Sequence, residues 1–576
     1  MYVLGIHDSH NATACLVKDG RLVSCVSEER FTRKKNQGGL PAQSIKWCLA
    51  HEHIGPEDLD RVALASTHGP IANIAQPERE YSPGQNFLLK WANLEQLLPP
   101  SYGSALYRLF MSSFGAMHTQ DRIKRVSALL GIPREKIISV DHHTAHAYSA
   151  LFASTFRTGK TLILTLDAEG DGLCSAVHVA DGTSVQRVAS TSYASSLGWV
   201  YLAATQFLGM KPNEHEYKVM GLAPYAYPSD VEIVYDKMRS LIKVENGGTF
   251  SSPINTRYAL GWMKKQLIGY RFDWIAGAVQ KLAEQVMVKW VDGLANEYGI
   301  GRFAFGGGVF MNVKANMLLS QLPSVKEMFV MPSCGDESLP IGAAYYTYIQ
   351  HCDGTPADIS PLQSLYLGPD YECDEAGLRT LIDGKPVSLE RHSEIEGVIA
   401  DLLVKGEVVA RFSGAMEWGA RALGNRSILA RGDDLEVVET INRMIKLRDF
   451  WMPFAPTILS EREEDYVVNP KKVAAPYMIT AFPSTPLGHR ELRAAMHSAD
   501  KTLRPQVLHR DWNSRYYSLL KRVENATGLG GILNTSFNLH GDPIVCNPAD
   551  AIYTLLNSGL RYLAIGDFLL RKNGSV

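Results

Sequence analysis

One plan occurs twice in this chain: strand, polar loop, strand, Asp-Gly turn, strand. That repetition limits the fold more than any other feature. The first copy runs from Tyr2 to Ile6, through the loop HDSHNATA to Cys15–Lys18, the pair Asp19-Gly20, and Leu22–Ser27. The second runs from Leu162 to Asp167, through the loop AEGDG to Cys174–Val179, the pair Asp181-Gly182, and Val185–Ala189. An Asp-Gly pair supplies the positive φ angles that a tight hairpin needs, and two copies of one supersecondary unit predict a duplicated fold. Amphipathic helices fill the remainder. In the clearest, Asp273 to Tyr298, the residues Ile275, Val279, Leu282, Val286 and Trp290 recur at helical spacing. It leads into a short strand, Arg302 to Phe305, and then Gly306-Gly307-Gly308. Strands alternating with helices place the chain in the α/β class.

Over 352–362 the segment CDGTPADISPL loses its periodicity and collects Pro, Gly and Asp, the composition of an exposed linker. A boundary near residue 355 follows, with domains 1–355 and 356–576. The second domain reads as α/β as well: a helix over 394–405, a strand over 408–412, a Gly- and Arg-rich loop, a helix over 435–445, and further strands. Its last helix is opened by Asn547, followed by Pro548 and Asp550. Residues 75–130 are expected to form a mostly helical insertion.

Composition narrows the function classes. Lys plus Arg (58) and Asp plus Glu (60) nearly cancel, which removes the broad field that holds nucleic acid or an anionic membrane and leaves room only for a local basic pocket. No apolar stretch is long enough to span a bilayer, and no basic, apolar leader opens the chain. The expected location is cytoplasmic, as a monomer or homodimer. The eight cysteines are scattered without a C-x-x-C pair, so they are expected to be reduced and mostly buried.

In Asp141-His142-His143-Thr144-Ala145-His146 the residues His142 and His146 stand one helical turn apart and share a face, a spacing that can chelate a metal. Asp167 ends a predicted strand inside a Gly-rich loop. Asp336 lies in the loop Ser333-Cys334-Gly335-Asp336-Glu337, before the small-residue helix start Gly342-Ala343-Ala344. Two imidazoles with two carboxylates would make a mixed N/O site suited to iron, manganese or zinc. The run Gly306 to Asn312, between a strand and a helix, would aim backbone N–H groups at an anion. Lys218 and Gly221, in NEHEYKVMGLAPYA, form a second candidate nucleotide contact. His10 and Asp8, in the first loop, are candidate general bases. The run Glu28 to Lys35 reads as a solvated charged face whose basic end is placed to reach a phosphate. In the second domain Arg411, Arg421, Arg426, Lys446, Arg448 and Arg504 cluster around strand ends. With the amide and hydroxyl donors of Asn534 to Asn538 they are the residues a phosphate pocket needs.

Taken in order, these motifs resemble the O-carbamoyltransferases that act on nodulation factors and antibiotics. The resemblance spans nearly the whole chain. It rests on the H-x-A-[ST]-A loop His10-Asn11-Ala12-Thr13-Ala14, the EERFTRKK segment, the His142/His146 pair, the Gly307 to Asn312 loop, and the K-x-R and S-x-N signatures Lys446-Leu447-Arg448 and Ser536-Phe537-Asn538. It implies an N-terminal domain of the duplicated actin-like ATPase superfold, similar to the threonylcarbamoyl-transferring tRNA-modification protein, joined to a YrdC-like C-terminal domain. It further implies a divalent metal, iron(II), on His142, His146, Asp167 and Asp336, and an adenylate held by Lys218, Gly221, Gly307, Gly308 and Asn312. ATP with magnesium and carbamoyl phosphate would be held by Arg421, Lys446, Arg448, Arg504, Ser536 and Asn538. The implied reaction makes carbamoyl adenylate and transfers its carbamoyl group to a hydroxyl of a small molecule, with His10 removing the proton. The duplicated plan serves a sugar kinase or actin-like ATPase equally well, though such an enzyme leaves the C-terminal signatures unexplained. A tRNA-modifying transferase has the near-zero net charge against it.

Overall fold

The computed structural model describes residues 1–67, 118–352 and 359–573. Most of the insertion expected over 75–130 lies outside these residues, with 118–130 helical, and so does most of the expected linker. The chain divides into two compact units, 1–23 with 38–362 and 24–37 with 363–576. The segment 24–37 therefore belongs to the second unit and not to the first domain expected over 1–355. Its charged run is solvated only at its basic end, where Lys34 and Lys35 are exposed. Glu28 and Arg30 are buried, Arg30 donates to Gly419 O at 2.8 Å, and Arg33 donates to Pro543 O and Ile544 O at 2.7 and 2.6 Å. Burial satisfied by backbone carbonyls overrides the surface preference of charged residues.

The duplication is present strand for strand, in two sheets that lie in the first unit except for the end of the third strand, from Ser24 on. One sheet contains β1 (Tyr2–His7), β2 (Thr13–Lys18), β3 (Arg21–Ser27), β4 (Arg61–Ala65) and β5 (Ile137–Val140) in the order β3-β2-β1-β4-β5. The other contains β6 (Lys160–Gly170), β7 (Leu173–Asp181), β8 (Ser184–Ser192), β9 (Arg302–Gly306) and β10 (Glu327–Val330) in the order β8-β7-β6-β9-β10. In each, the first strand pairs antiparallel with its hairpin partner and parallel with the fourth. Asp19 and Gly20 take φ of 48° and 75°, the left-handed pair that a two-residue hairpin uses.

The segment AEGDG is not a loop. β6 continues through Gly170, its register against β7 shifts between Leu166 and Gly170, and the turn falls at Asp171-Gly172. Asp167 thus sits in a bulge, a device that redirects a side chain out of the strand's regular alternation.

Helix α1 (His142–Ala153) packs on β6 and β9, and the long helix α2 (Phe272–Tyr298) buries Ile275, Val279, Leu282, Val286 and Trp290 as its periodicity predicts. After β9 a 3-10 turn, Gly308–Met311, precedes α3 (Val313–Gln321), and after β10 another, Asp336–Ser338, precedes α4 (Leu339–His351). Helix α4 packs on β1, β2 and β4 and crosses α1 so closely that a Cβ on Gly342 would stand 1.6 Å from Ala145 O. Only a residue without a side chain permits that approach, which brings the start of α4 beside the start of α1.

The second unit is built on an eight-stranded mixed sheet. Its strands are β11 (Val387–Arg391), β12 (Val409–Phe412), β13 (Arg426–Arg431), β14 (Ala455–Leu459), β15 (Gln506–Leu508), β16 (Gly531–Ser536), β17 (Tyr562–Ile565) and β18 (Phe568–Lys572). They lie in the order β11-β18-β17-β12-β13-β16-β14-β15. Each face carries its own core. Ala410, Ile428 and Leu563 join Leu378 and Ile552 on one side, while Val409, Leu429 and Ile532 join Ile399 and Leu520 on the other. Neighbouring residues of one strand enter opposite cores, as the two-residue period of a strand requires when helices cover both faces. Asn547 caps the last helix, accepting from Asp550 N at 2.9 Å. The helix expected over 435–445 is shorter, Glu436–Ile441, and gives way to a π-turn, Asn442–Lys446, after which Leu447 takes φ 44°.

Candidate metal centre and cationic pocket

The metal-binding candidates of the first unit come from separate elements. Asp141 caps α1, its Oδ1 accepting from Thr144 N and Thr144 Oγ1 at 2.8 and 2.9 Å, which places His142 first in the helix and His146 one turn on. Asp171, from the turn after β6, accepts the His142 N–H at 2.8 Å. Asp167 reaches in from the bulge, and Asp336 from the turn that starts α4. One ligand atom from each of His142, His146, Asp167 and Asp336 lies within 4.8 Å of the others. His146 Nε2 stands 3.2 Å from Asp167 Oδ2, and His142 Nε2 stands 3.7 and 3.8 Å from Asp167 and Asp336.

The hydrogen bonds behind the imidazoles show what this cluster fits. Ser338 Oγ donates to Gly335 O at 2.8 Å, so at 3.3 Å from His146 Nδ1 it can only accept. His146 therefore carries its proton on Nδ1 and turns Nε2 toward two carboxylates. Ser66 Oγ holds His142 Nδ1 at 3.0 Å, and the buried His142 Nε2 has no hydrogen-bond partner among the described residues. The His146 Nε2 lone pair and two carboxylates face one another beside His142 Nε2, a buried set of acceptors that calls for a cation, and the N2O2 donor set fits iron, manganese or zinc. The electrostatics show the same demand. Burial works against charge on His142, but Asp167 and Asp336 outweigh it and hold this imidazole up at about 9, while Asp336 is pushed up to about 7 by burial and then by Asp167.

The glycine run serves this centre. Gly307 takes φ 96° with no room for a Cβ, 2.4 Å from Leu166 O, and Gly308 N donates to Asp167 Oδ2 at 3.2 Å. The anion beneath these backbone amides is thus Asp167. Asn312 caps α3 by accepting from Ala315 N at 3.0 Å and exchanges two hydrogen bonds with Gln280. Lys218 and Gly221 lie on the helix Glu216–Leu222. His10 sits in the β1–β2 loop, its carbonyl 3.0 Å from His7 Nε2. Asp8, the other candidate base, is gripped by Arg122, whose Nε lies 3.1 and 3.0 Å from its two oxygens. Burial would raise Asp8, but the guanidinium outweighs it and holds the carboxyl below its ordinary range, which makes Asp8 a poor base.

In the second unit the K-x-R and S-x-N motifs meet. Lys446 Nζ donates to Ser536 O at 2.5 Å, Ser536 Oγ at 3.2 Å and Asn538 Oδ1 at 2.7 Å. Asn538 is oriented for this by Nδ2 bonds to Leu539 O and Asp542 O at 2.9 and 2.8 Å. Arg448 donates to Thr535 Oγ1 at 3.1 Å and lies 4.7 Å over the Phe454 ring. Burial, then Arg448 and Lys35, push the Lys446 ammonium well below the usual lysine range. Arg504 is likewise held down by burial, then by Arg421 and Arg448. Lys446 is buried, Arg421, Arg448 and Arg504 are half-buried and Lys35 is exposed, and the charges that lower Lys446 and Arg504 are those of their cationic neighbours, whose repulsion an anion would relieve. Arg411 and Arg426 are instead buried struts. Arg411 donates to Gly424 O at 2.8 Å, and Arg426 stacks 3.7 Å from the Phe412 ring while donating to the carbonyls of Ser413 and Gly414. Glu417 gathers the N–H groups of Leu423, Asn425 and Arg426 on one oxygen at 2.7, 2.7 and 3.2 Å, shaping the loop that carries Arg421.

Sequence reasoning did not single out Ser66, Ser338, His7, Asp171 or Glu417. Nothing in the local sequence distinguishes a serine behind an imidazole from any other serine. Lys35 had a signal, as the basic end of its charged run.

Comparison with known proteins places the chain among described families. Residues 2–345 match the family described as "Carbamoyltransferase N-terminus", and residues 400–572 match "Carbamoyltransferase C-terminus". The chain is 30% identical to the uncharacterized protein MJ1051 of Methanocaldococcus jannaschii, over 99% of each chain. It is also 30% identical to the nodulation protein NolNO of Sinorhizobium fredii, over 98% of this chain and 79% of that one. Among solved structures, component A of the (R)-2-hydroxyglutaryl-CoA dehydratase of Acidaminococcus fermentans is similar with a TM-score of 0.32 and 17% identity, covering 61% of this chain and 98% of that one.

Proposed function

The chain belongs to the carbamoyltransferase family and is a transferase, and from that premise we propose that it runs two half-reactions, one in each unit, ending in carbamoylation of a hydroxyl on a small-molecule natural product. In the second unit, carbamoyl phosphate and water give phosphate and carbamate. The carbamate oxygen then attacks the α-phosphorus of ATP, releasing pyrophosphate and leaving carbamoyl adenylate. Lys446, Arg448, Arg504, Arg421 and Lys35 are the cations for these phosphates, with Ser536 and Asn538 fixing Lys446. The observation that carries this reading is the buried Lys446, fixed by Ser536 and Asn538 and pushed down by that burial and then by the neighbouring charges of Arg448 and Lys35, an arrangement whose electrostatic strain an anionic substrate relieves. The second unit is read as the YrdC-like domain, and the duplicated first unit as the actin-like one.

In the first unit the acceptor hydroxyl attacks the carbamoyl carbon, AMP leaves, and the hydroxyl proton goes to His10. His142, His146, Asp167 and Asp336 would hold a divalent cation, which would supply positive charge to anchor the adenylate phosphate and polarise the bond that breaks. Iron(II) is the ion suggested by resemblance, and magnesium accompanies ATP. Gly307, Gly308 and Asn312 shape the wall on which the adenylate rests, with Lys218 and Gly221 as further contacts. The two serines that fix His142 and His146 keep both Nε2 atoms turned inward. No helix among the described residues is long and apolar enough to cross a membrane, in keeping with a cytoplasmic enzyme.

The deciding experiment measures pyrophosphate release from ATP with and without carbamoyl phosphate. Release that depends on carbamoyl phosphate is expected, and ATP hydrolysis to ADP irrespective of it would replace this reading with an ATPase.

A further inference from the structure

We propose that His7 is a positioning residue that ties the acceptor loop to the metal carboxylate Asp336 without ligating the ion. The inference rests on the metal reading above and concerns a residue that reading does not use. His7 is the last residue of β1, and its ring is 1% exposed. Its Nε2 lies 3.0 Å from His10 O and 3.7 Å from Asp336 Oδ2. A carbonyl oxygen can only accept, so Nε2 carries the proton, and a protonated ring nitrogen has no lone pair to give to a metal. The same ring nitrogen that donates to the His10 carbonyl stands beside Asp336, beyond hydrogen-bond reach, so its contact with that carboxylate is steric and electrostatic. A second tie joins the same two loops, because Asn11, at φ 59°, directs Nδ2 to Glu337 Oε2 at 3.5 Å, and Glu337 is also held by Ser333 Oγ at 2.5 Å. Residues 10 and 11 thereby lie against residues 336 and 337, more than 300 positions away in the chain. The consequence is geometric. His10 must meet the acceptor hydroxyl at the distance set by the adenylate on the metal centre, and a displacement of about an ångström between such groups is enough to cost a large part of the rate.

The test uses the full-length protein freed of metal and titrated with cobalt(II), whose visible absorption reports both affinity and ligand set. His7→Gln keeps an N–H donor, and His7→Met keeps bulk without one. The expected result is that His7→Met binds cobalt(II) about tenfold to a hundredfold more weakly, the range typical for loss of a partner behind a ligand, with band positions unchanged. His7→Gln should recover most of that affinity. In the transfer assay kcat should fall for Met and be restored by Gln, with pyrophosphate release unchanged in both. Equal cobalt affinity for Gln and Met, or altered bands of the kind produced by His142→Ala, would overturn the inference while leaving the metal centre in place. A wild-type protein that binds no cobalt, or a His142→Ala variant that binds it undiminished, would overturn the metal reading and this inference with it. Circular dichroism establishes that each variant is folded. If only one of the pair folds, it is compared with wild type, where weakened binding by Gln or full-strength binding by Met counts against the inference.

Discussion

Ser338 accepts the Nδ1 proton of His146 across 3.3 Å because its own hydroxyl proton is committed to Gly335 O at 2.8 Å. A single serine thus fixes which nitrogen of a candidate ligand carries a lone pair. Ser338 leads directly into α4, so one short turn supplies both the carboxylate of Asp336 and the residue that orients His146.

Ser338→Ala is expected to weaken metal binding by about tenfold or more without removing a ligand. Titration of the metal-free variant measures this directly. Affinity equal to wild type would mean that the tautomer is set by something else.

Lys446→Met should lower carbamoyl-phosphate-dependent pyrophosphate release by about a hundredfold or more, as loss of a charged contact at a phosphoryl centre commonly does. Supplied with synthetic carbamoyl adenylate, the same variant should still carbamoylate the acceptor. Release at the wild-type rate would remove Lys446 from the first half-reaction.

His10→Asn should abolish transfer while pyrophosphate release survives, because the residue lies in the first unit and Asp8 is committed to Arg122. Stopped-time assays of both products separate the two steps. Wild-type transfer across the pH range would exclude His10 as the base.

Gly342→Ala should lower stability by about 1–3 kcal/mol or more, since its Cβ would fall 1.6 Å from Ala145 O and drive α4 away from α1. The same displacement separates Asp336 from His146. Metal affinity should therefore fall together with the melting temperature, and an unchanged melting temperature would contradict the close crossing.

Asp8→Asn should cost roughly 3–5 kcal/mol at neutral pH by leaving Arg122 buried without its partner. The folded-state value of Asp8 is depressed, so its contribution is fully present above roughly pH 4 and fades as pH falls through the lower folded value. Denaturant unfolding of wild type and variant should show stabilities that converge in acid. A gap that stays constant with pH would show that charge is not what holds Asp8.

Much of the site was legible before the structure because its parts are local. The i, i+4 histidines share a helix face whatever surrounds them, and Lys446, Arg448, Ser536 and Asn538 stand in short motifs whose spacing holds in any fold. Other parts were misread for want of a local signal. Asp167 was placed at a strand end, since a bulge leaves no mark in residue type. That the Gly308 amide donates to Asp167 also has no local signal, because the partner comes from another strand.

The sequence by itself determined the duplicated hairpin plan, the long helix over 273–298, the cap at Asn547, and the residue types of the candidate metal and phosphate sites. These follow from backbone preferences and periodicities spanning at most a few turns. Only the tertiary structure decided that Asp336 meets His146 from 190 positions away, that Ser338 sets the proton of His146, that Asp8 is paired with Arg122, and that residues 24–37 belong with the second unit. Each of these depends on how closely two separately formed elements approach. That distance is set by sheet register and by the side chains absent or present at a crossing, such as Gly342, and no single stretch of sequence carries it.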